Sequence, residues 1–195
     1  MHYINLLFSM KVGPPPRQRP YPIYAAEGFI EFMDGLISVY GHWIKGSNWS
    51  SPVEELPLDR IHTFRLDDLI VTTAPANHSA GALHLRFEVA GKSVVFSGDT
   101  GPSPGLERLA DQCDLLICEC ATTSEQPHPG HMSPRQVVDL VKKAKPKEVW
   151  LLMTHGLVKC VLFGATMSVS SKPTFRLSRT VTSVVMARVV APMVT

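Results

Sequence analysis

Apolar residues recur at two spacings along this chain, and the switch between them marks its elements. In "ALHLRFEV", Leu83, Leu85 and Phe87 alternate with His84, Arg86 and Glu88, the period of two that a half-exposed strand requires. "KSVVFSG" follows across Ala90-Gly91, which predicts a second strand after a tight turn. Phe29, Phe32, Met33, Leu36 and Ile37 recur at the 3.6-residue period, and Gly41 ends that helix. A helix is also expected over His2 to Met10 on Ile4, Leu7 and Phe8, and a short strand at Ile23 and Tyr24. "HWIKGSNWSSPVEELPL" is polar and turn-rich, a surface excursion. "HTFRLDDLIVTTAPANH" suggests strand pieces ending at His78.

Beyond residue 94 the chain alternates. "DLLICECAT" and "EVWLLMTH" are apolar runs that suit buried strands. Ser103-Pro104 and Ser133-Pro134 each pair an N-cap residue with a first-turn proline. The helices they open carry Leu106, Leu109 and Ala110 in one case, and Val137, Val138, Leu140, Val141 and Ala144 in the other. Strand, helix, strand, helix, strand predicts a layered α/β arrangement. The segment "MSVSSKPTFRLSRTVTSVVMARVVAPMVT" has β-branched runs but neither cap signals nor a clean period.

Composition narrows the class. At 195 residues, 45% hydrophobic and 18% charged, the chain suits a globular domain with a real core. No apolar run approaches the ~18 residues of a membrane span, so no membrane partner is expected. The four cysteines lie outside any C-x-x-C spacing, so they read as reduced core thiols in a cytoplasmic setting. Net charge is +2, but it is unevenly spread. Residues 156–195 hold Lys159, Lys172, Arg176, Arg179 and Arg188 and no acidic residue. Residues 1–155 are left with 14 of the 19 basic residues against all 17 acidic ones. The expected division is therefore a domain over 1–155 and a divergent basic tail over 156–195.

The candidate chemistry gathers at strand ends. Asp99 in "VVFSGDTG", Glu119 in "CECAT" and His155 in "LLMTH" each close a predicted strand, where ligands sit in open α/β sheets. His78 also closes a predicted strand, and His131 falls on the loop before a capped helix. Each has a plain alternative: Asp99 before Gly101 and Pro102 shapes a turn, His78 is a turn histidine, and His131 orients a helix start. Glu119 between two cysteines is expected to be buried, so its charge needs a partner, which the His131 loop is placed to supply. Histidines and an aspartate converging from loops suit a borderline divalent cation such as zinc. His42, His62, His84 and His128 are taken as surface or structural.

"NHSAGALHLRFE", "VVFSGDTG", "LLICECAT", "GHMSP" and "WLLMTH" together resemble the metallo-β-lactamase superfamily, in particular its ribonuclease Z-like branch, over residues 2 to 155. The resemblance implies an αβ/βα sandwich, here incomplete at the N-terminus and at the C-terminus. It implies one or two zinc ions. His78 would bind the first metal, Asp99 would bridge both, and His2 and His155 would serve the second. His131 would assist proton transfer, with Glu119 supporting it. The implied activity is hydrolysis by a metal-bound hydroxide, most directly of a phosphodiester or RNA substrate. Oligomeric state is left open, a homodimer being one state the family allows.

Two departures qualify that expectation. The family's His-x-His-x-Asp-His signature is absent; His2 aligns with its last histidine, and Met1 stands where its aspartate belongs. The composition also changes after His155. Both point to a shortened chain with an impaired metal site, better preserved at the second position. A non-catalytic scaffold or binding protein of the same fold is the competing reading.

Overall fold

The computed structural model describes residues 2–13, 19–45, 51–153, 156–163 and 166–170; from residue 153 onward only the backbone is described, as it is at His2. These residues fall into two compact units that divide between Glu55 and Leu56.

The first unit holds α1 (His2–Val12), β1 (Ile23–Ala26), α2 (Phe29–Tyr40), a 3-10 turn (Gly41–Trp43) and β2 (Val53–Leu56), with β1 paired to β2. The helix at 29–40 matches the helical period of Phe29, Phe32, Met33, Leu36 and Ile37. Gly28 precedes it at φ 90° and offers no capping side chain. Glu55 stands in, its carboxylate accepting the Ile30 N–H at 2.9 Å. This is favourable placement for an anion, at the positive end of the helix dipole. Gly41, at φ 56°, stops the helix. The stretch expected to be a surface excursion contains β2 and the buried side chains of Ile44 and Leu56. That pattern was hidden because four-residue strands carry too few alternations to register.

The second unit is built on one mixed eight-stranded sheet. Its strands are β3 (His62–Leu66), β4 (Leu69–Pro75), β5 (Leu83–Val89), β6 (Lys92–Phe96), β7 (Leu115–Glu119), β8 (Glu148–Met153), β9 (Gly156–Phe163) and β10 (Thr166–Ser170). They lie side by side in the order β10-β9-β8-β7-β6-β5-β4-β3. β3 to β6 form an antiparallel meander. Its β5–β6 turn places Ala90 at φ 49° and Gly91 at φ 71°, the doubly left-handed conformation that suits a two-residue hairpin. β6, β7 and β8 are parallel, because α3 (Pro104–Ala110) and α4 (Pro134–Ala144) form the crossovers between them. β9 and β10 then add antiparallel to the β8 edge. No helix among the described residues is long and apolar enough to cross a membrane.

The core lies between these two helices and the parallel strands. Leu106, Leu109 and Ala110 of α3 and Val137, Leu140, Val141 and Ala144 of α4 are buried with Val95, Leu116, Cys118, Val149 and Leu151 of the sheet. Both helix starts are as the sequence predicts. The Ser103 hydroxyl accepts the Leu106 N–H at 3.5 Å, and Ser133 forms a capping box with Gln136, whose Oε1 accepts the Ser133 N–H at 2.8 Å. Lys145 closes α4 in the left-handed conformation, with Pro146 blocking continuation. Cys113, Cys118 and Cys120 are buried thiols.

β5 departs from expectation. Its alternation assigned His84, Arg86 and Glu88 to solvent, yet His84 is fully buried, because α3 packs over that face of β4 and β5. The imidazole Nδ1 lies 2.6 Å from the Ser97 carbonyl. A carbonyl only accepts, so Nδ1 carries the proton and Nε2 accepts from the Ser103 hydroxyl, 3.1 Å away. Two residues on, the Arg86 guanidinium donates to the Leu109 and Asp111 carbonyls at 2.6 and 3.0 Å. The polar residues of this strand therefore bind both ends of α3.

Burial pushes the His84 pKa down from 6.5 to about 4, opposed in part by its hydrogen bond to Ser97. Between those pH values the unfolded chain takes up a proton that the folded chain does not, so stability falls as pH drops from about 6.5 towards 4. The loss expected from this group is on the order of 3 kcal/mol. Urea unfolding across that range should show it, and His84→Gln should flatten that part of the profile while costing stability at pH 7.

Candidate active site

The parallel strands deliver their following loops to one end of the sheet. Ser97–Gly101 follows β6 and Cys120–Ser133 follows β7. Ser97 crosses between them: its hydroxyl accepts the Glu119 N–H at 3.0 Å and donates to the Gly98 carbonyl at 2.7 Å. Gly98, at φ 62°, turns the chain so that Thr100 lies beside β7.

Glu119 is buried at the end of β7 and receives three donors. Oε1 accepts the Thr100 N–H at 2.6 Å and pairs with His131 Nδ1 at 2.9 Å; Oε2 accepts the Ala121 N–H at 3.1 Å. The pairing anticipated between a buried Glu119 and the His131 loop is thus present in the geometry. The carboxylate is an acceptor, so His131 carries its neutral-form proton on Nδ1 and leaves Nε2 as the base nitrogen.

The His78 loop is tied to the same point. β4 ends at Pro75, three residues short of His78, so His78 sits on the loop rather than at the strand end. The Asn77 N–H donates to Thr100 Oγ1 at 3.1 Å, and the Gly101 N–H donates to the Asn77 carbonyl at 2.8 Å. Thr100 is fully buried and so links the His78 loop to Glu119. The result brings the His78 and His131 rings to 4.9 Å between centroids at 64°. His78 Nδ1 lies 3.1 Å from Ser79 Oγ.

Two glycines make this approach feasible. A Cβ on Gly101 would strike the Pro129 carbonyl, and one on Gly130 would reach His78 Cδ2 at 3.2 Å. The loops after β6 and β7 therefore meet backbone against backbone.

Of the residues singled out in the sequence, His78, Glu119 and His131 are brought together. Asp99 lies on the loop between Gly98 and Thr100 and is exposed. His155 lies outside the described residues, and at His2 only the backbone is described. The sequence reasoning passed over Asn77, Ser97 and Thr100, whose hydrogen bonds cross between loops, and His128, whose ring stands 5.4 Å from that of His131. Only the clustering of two histidines in "HPGH" hinted at the last.

A catalytic zinc takes three protein ligands. Among the described residues no group of three or more His, Cys, Asp or Glu side chains is disposed to hold a metal ion. Of the four expected metal ligands, His78 and Asp99 are those whose side chains are described, and beside them the His131–Glu119 pair has a proton-transfer chemistry of its own. His131 Nε2 can accept or release a proton, and Glu119 holds the ring and stabilises the imidazolium formed on proton uptake.

A mixed sheet with parallel central strands, crossover helices and histidine-bearing loops at the strand ends defines this as a metallo-β-lactamase fold. Residues 17–155 match the beta-lactamase superfamily domain, and the chain belongs to that superfamily. Among solved structures it is similar to the metallo-β-lactamase fold protein YhfI of Bacillus subtilis (TM-score 0.60, 22% identity, 79% of this chain and 58% of that one). It is also similar to the short form of human tRNase Z (TM-score 0.61, 18% identity, 76% of this chain and 64% of that one). At these identities the likeness is one of fold. In sequence, Ribonuclease BN of Salmonella paratyphi C is 37% identical over 203 residues, covering 77% of this chain and 64% of that protein. Ribonuclease BN of Proteus mirabilis is 33% identical over 79 residues, covering 38% of this chain and 25% of that protein. The chain spans less than two thirds of either relative.

Glu119→Ala would orphan the Thr100 and Ala121 N–H groups and His131 Nδ1. At about 1–3 kcal/mol for each unpaired buried donor, the expected loss is several kcal/mol in urea unfolding. Gly101→Ala should cost about 1–3 kcal/mol through overpacking against Pro129, with a shift of the His78 and His131 ring resonances as the local readout.

Proposed function

We propose that the protein is a phosphodiester hydrolase of the ribonuclease Z type, with RNA as its substrate class. The observation that carries this reading is the Glu119–His131 pair, with His131 Nδ1 2.9 Å from Glu119 Oε1. Such a pair protonates a departing oxygen in phosphodiester cleavage: His131 first takes up a proton at Nε2, then gives that proton to the departing oxygen and returns to the neutral Nδ1–H form, while Glu119 keeps the ring oriented and balances the imidazolium charge. The similarity to two proteins named Ribonuclease BN supports the choice of substrate class.

Zinc would supply the activated water in such chemistry. His78, Asp99, His2 and His155 are the residues proposed to hold it, with His78 and Asp99 serving the first position and His2, Asp99 and His155 the second. A cytoplasmic setting and an RNA partner belong to the same proposal. The competing reading is a scaffold of the same fold that binds without turning over.

Turnover of bis(p-nitrophenyl) phosphate with added zinc or manganese separates the two. The hydrolase reading expects slow, metal-stimulated turnover that falls about 10²–10⁴-fold in His131→Ala, with bound metal unchanged by elemental analysis. Turnover no greater than that of Asp99→Ala under every metal condition would establish the scaffold reading instead.

A further inference from the structure

His128 is the group at this site that neither the sequence resemblance nor the Glu119–His131 pair explains. We propose that His128 is a substrate-binding residue, donating its Nε2–H to a non-bridging phosphate oxygen of a group held at His131. This rests on the phosphodiester reading for its ligand class and on the loop geometry for its residue.

The loop makes the pairing. The His131 N–H donates to the His128 carbonyl at 3.0 Å, closing a four-residue turn in which Pro129 occupies the second position, where its fixed φ is favourable. That turn sets the two rings beside each other, 5.4 Å between centroids at 47°. Gly130 spans them, and its N–H donates to His128 Nδ1 at 3.3 Å. Nδ1 is therefore an acceptor, and the neutral imidazole keeps its proton on Nε2.

His131 has the opposite arrangement, with Nδ1–H directed to Glu119 and Nε2 left as the base. The two adjacent rings thus offer one fixed donor and one proton carrier. A phosphate ester asks for that combination, since its non-bridging oxygens accept hydrogen bonds while its departing oxygen takes a proton. His128 is exposed and His131 partly exposed, so both residues are open to solvent.

Ring packing alone is the structural alternative, and two substitutions separate it from donation. His128→Phe keeps a ring against His131 without a donor, whereas His128→Gln keeps a donor at similar reach without the ring. The full chain, without added metal, is titrated with inorganic phosphate and followed by the imidazole NMR signals. Turnover of bis(p-nitrophenyl) phosphate is measured separately, with added zinc or manganese.

Phosphate affinity is expected to fall about tenfold or more in His128→Phe and to stay within about threefold of the parent in His128→Gln. Any turnover should show the same order, as a rise in KM rather than a fall in kcat. Equal affinity in the parent and His128→Phe, a Gln variant as weak as the Phe variant, or no phosphate response in the parent would each overturn the proposal. If phosphate binding follows the expected order while no phosphodiester is turned over, the hydrolase reading fails and the His128 site stands.

Discussion

A buried carboxylate with three donors is the constraint on which the site depends. Glu119 is nearly inaccessible to water, and an unpaired charge in such a place is costly enough to prevent stable folding. Its oxygens are satisfied only if the loop after β6 presents the Thr100 N–H, the chain just past β7 presents the Ala121 N–H, and the longer loop beyond returns His131. One carboxylate thus selects the conformation of two loops. Through Thr100 Oγ1, which accepts from Asn77, it also draws in the His78 loop.

The sheet supplies the rigidity this network needs. Parallel β6, β7 and β8 can be joined only by crossovers, and α3 and α4 bury their apolar faces on the strands they connect. Loops at the carboxyl ends of such strands start from fixed points. The polar residues of β5 contribute from beneath, with His84 and Arg86 holding the two ends of α3. A helix fixed in this way keeps the Ser97–Gly101 loop, which precedes it, in register with β7. Stability and site geometry share hydrogen bonds here, because the His84 partner Ser97 also accepts the Glu119 N–H.

Several elements were legible in the sequence for local reasons. Serine followed by proline marks a helix start because the hydroxyl and the pre-set φ act within one turn, and α3 and α4 begin where Ser103 and Ser133 place them. The Ala90-Gly91 turn, the helix at Phe29–Tyr40 and the buried strands β7 and β8 were equally readable. His84 was misassigned because alternation reports polarity rather than position. A polar strand face looks outward-facing unless something covers it, and the covering helix arrives 20 residues later in the chain. β2 was missed because four residues hold too little periodicity. The link from a buried Glu119 to the His131 loop was foreseeable from charge alone, since a carboxylate between two core cysteines has to find a donor.

What the amino-acid order determined by itself is the central strands, the helices and the residue types that close those strands, because capping, turn chemistry and apolar period act over a few residues. Apart from the Glu119–His131 pair, tertiary structure decided which of those residues meet. Asn77, Thr100 and Glu119 are joined across gaps of 23 and 19 residues, and the Pro129 carbonyl lies against Gly101, nearly thirty residues earlier in the chain. Hydrogen bonds and close backbone approach depend on distances of a few ångströms between separate loops, and no local pattern in the chain encodes them.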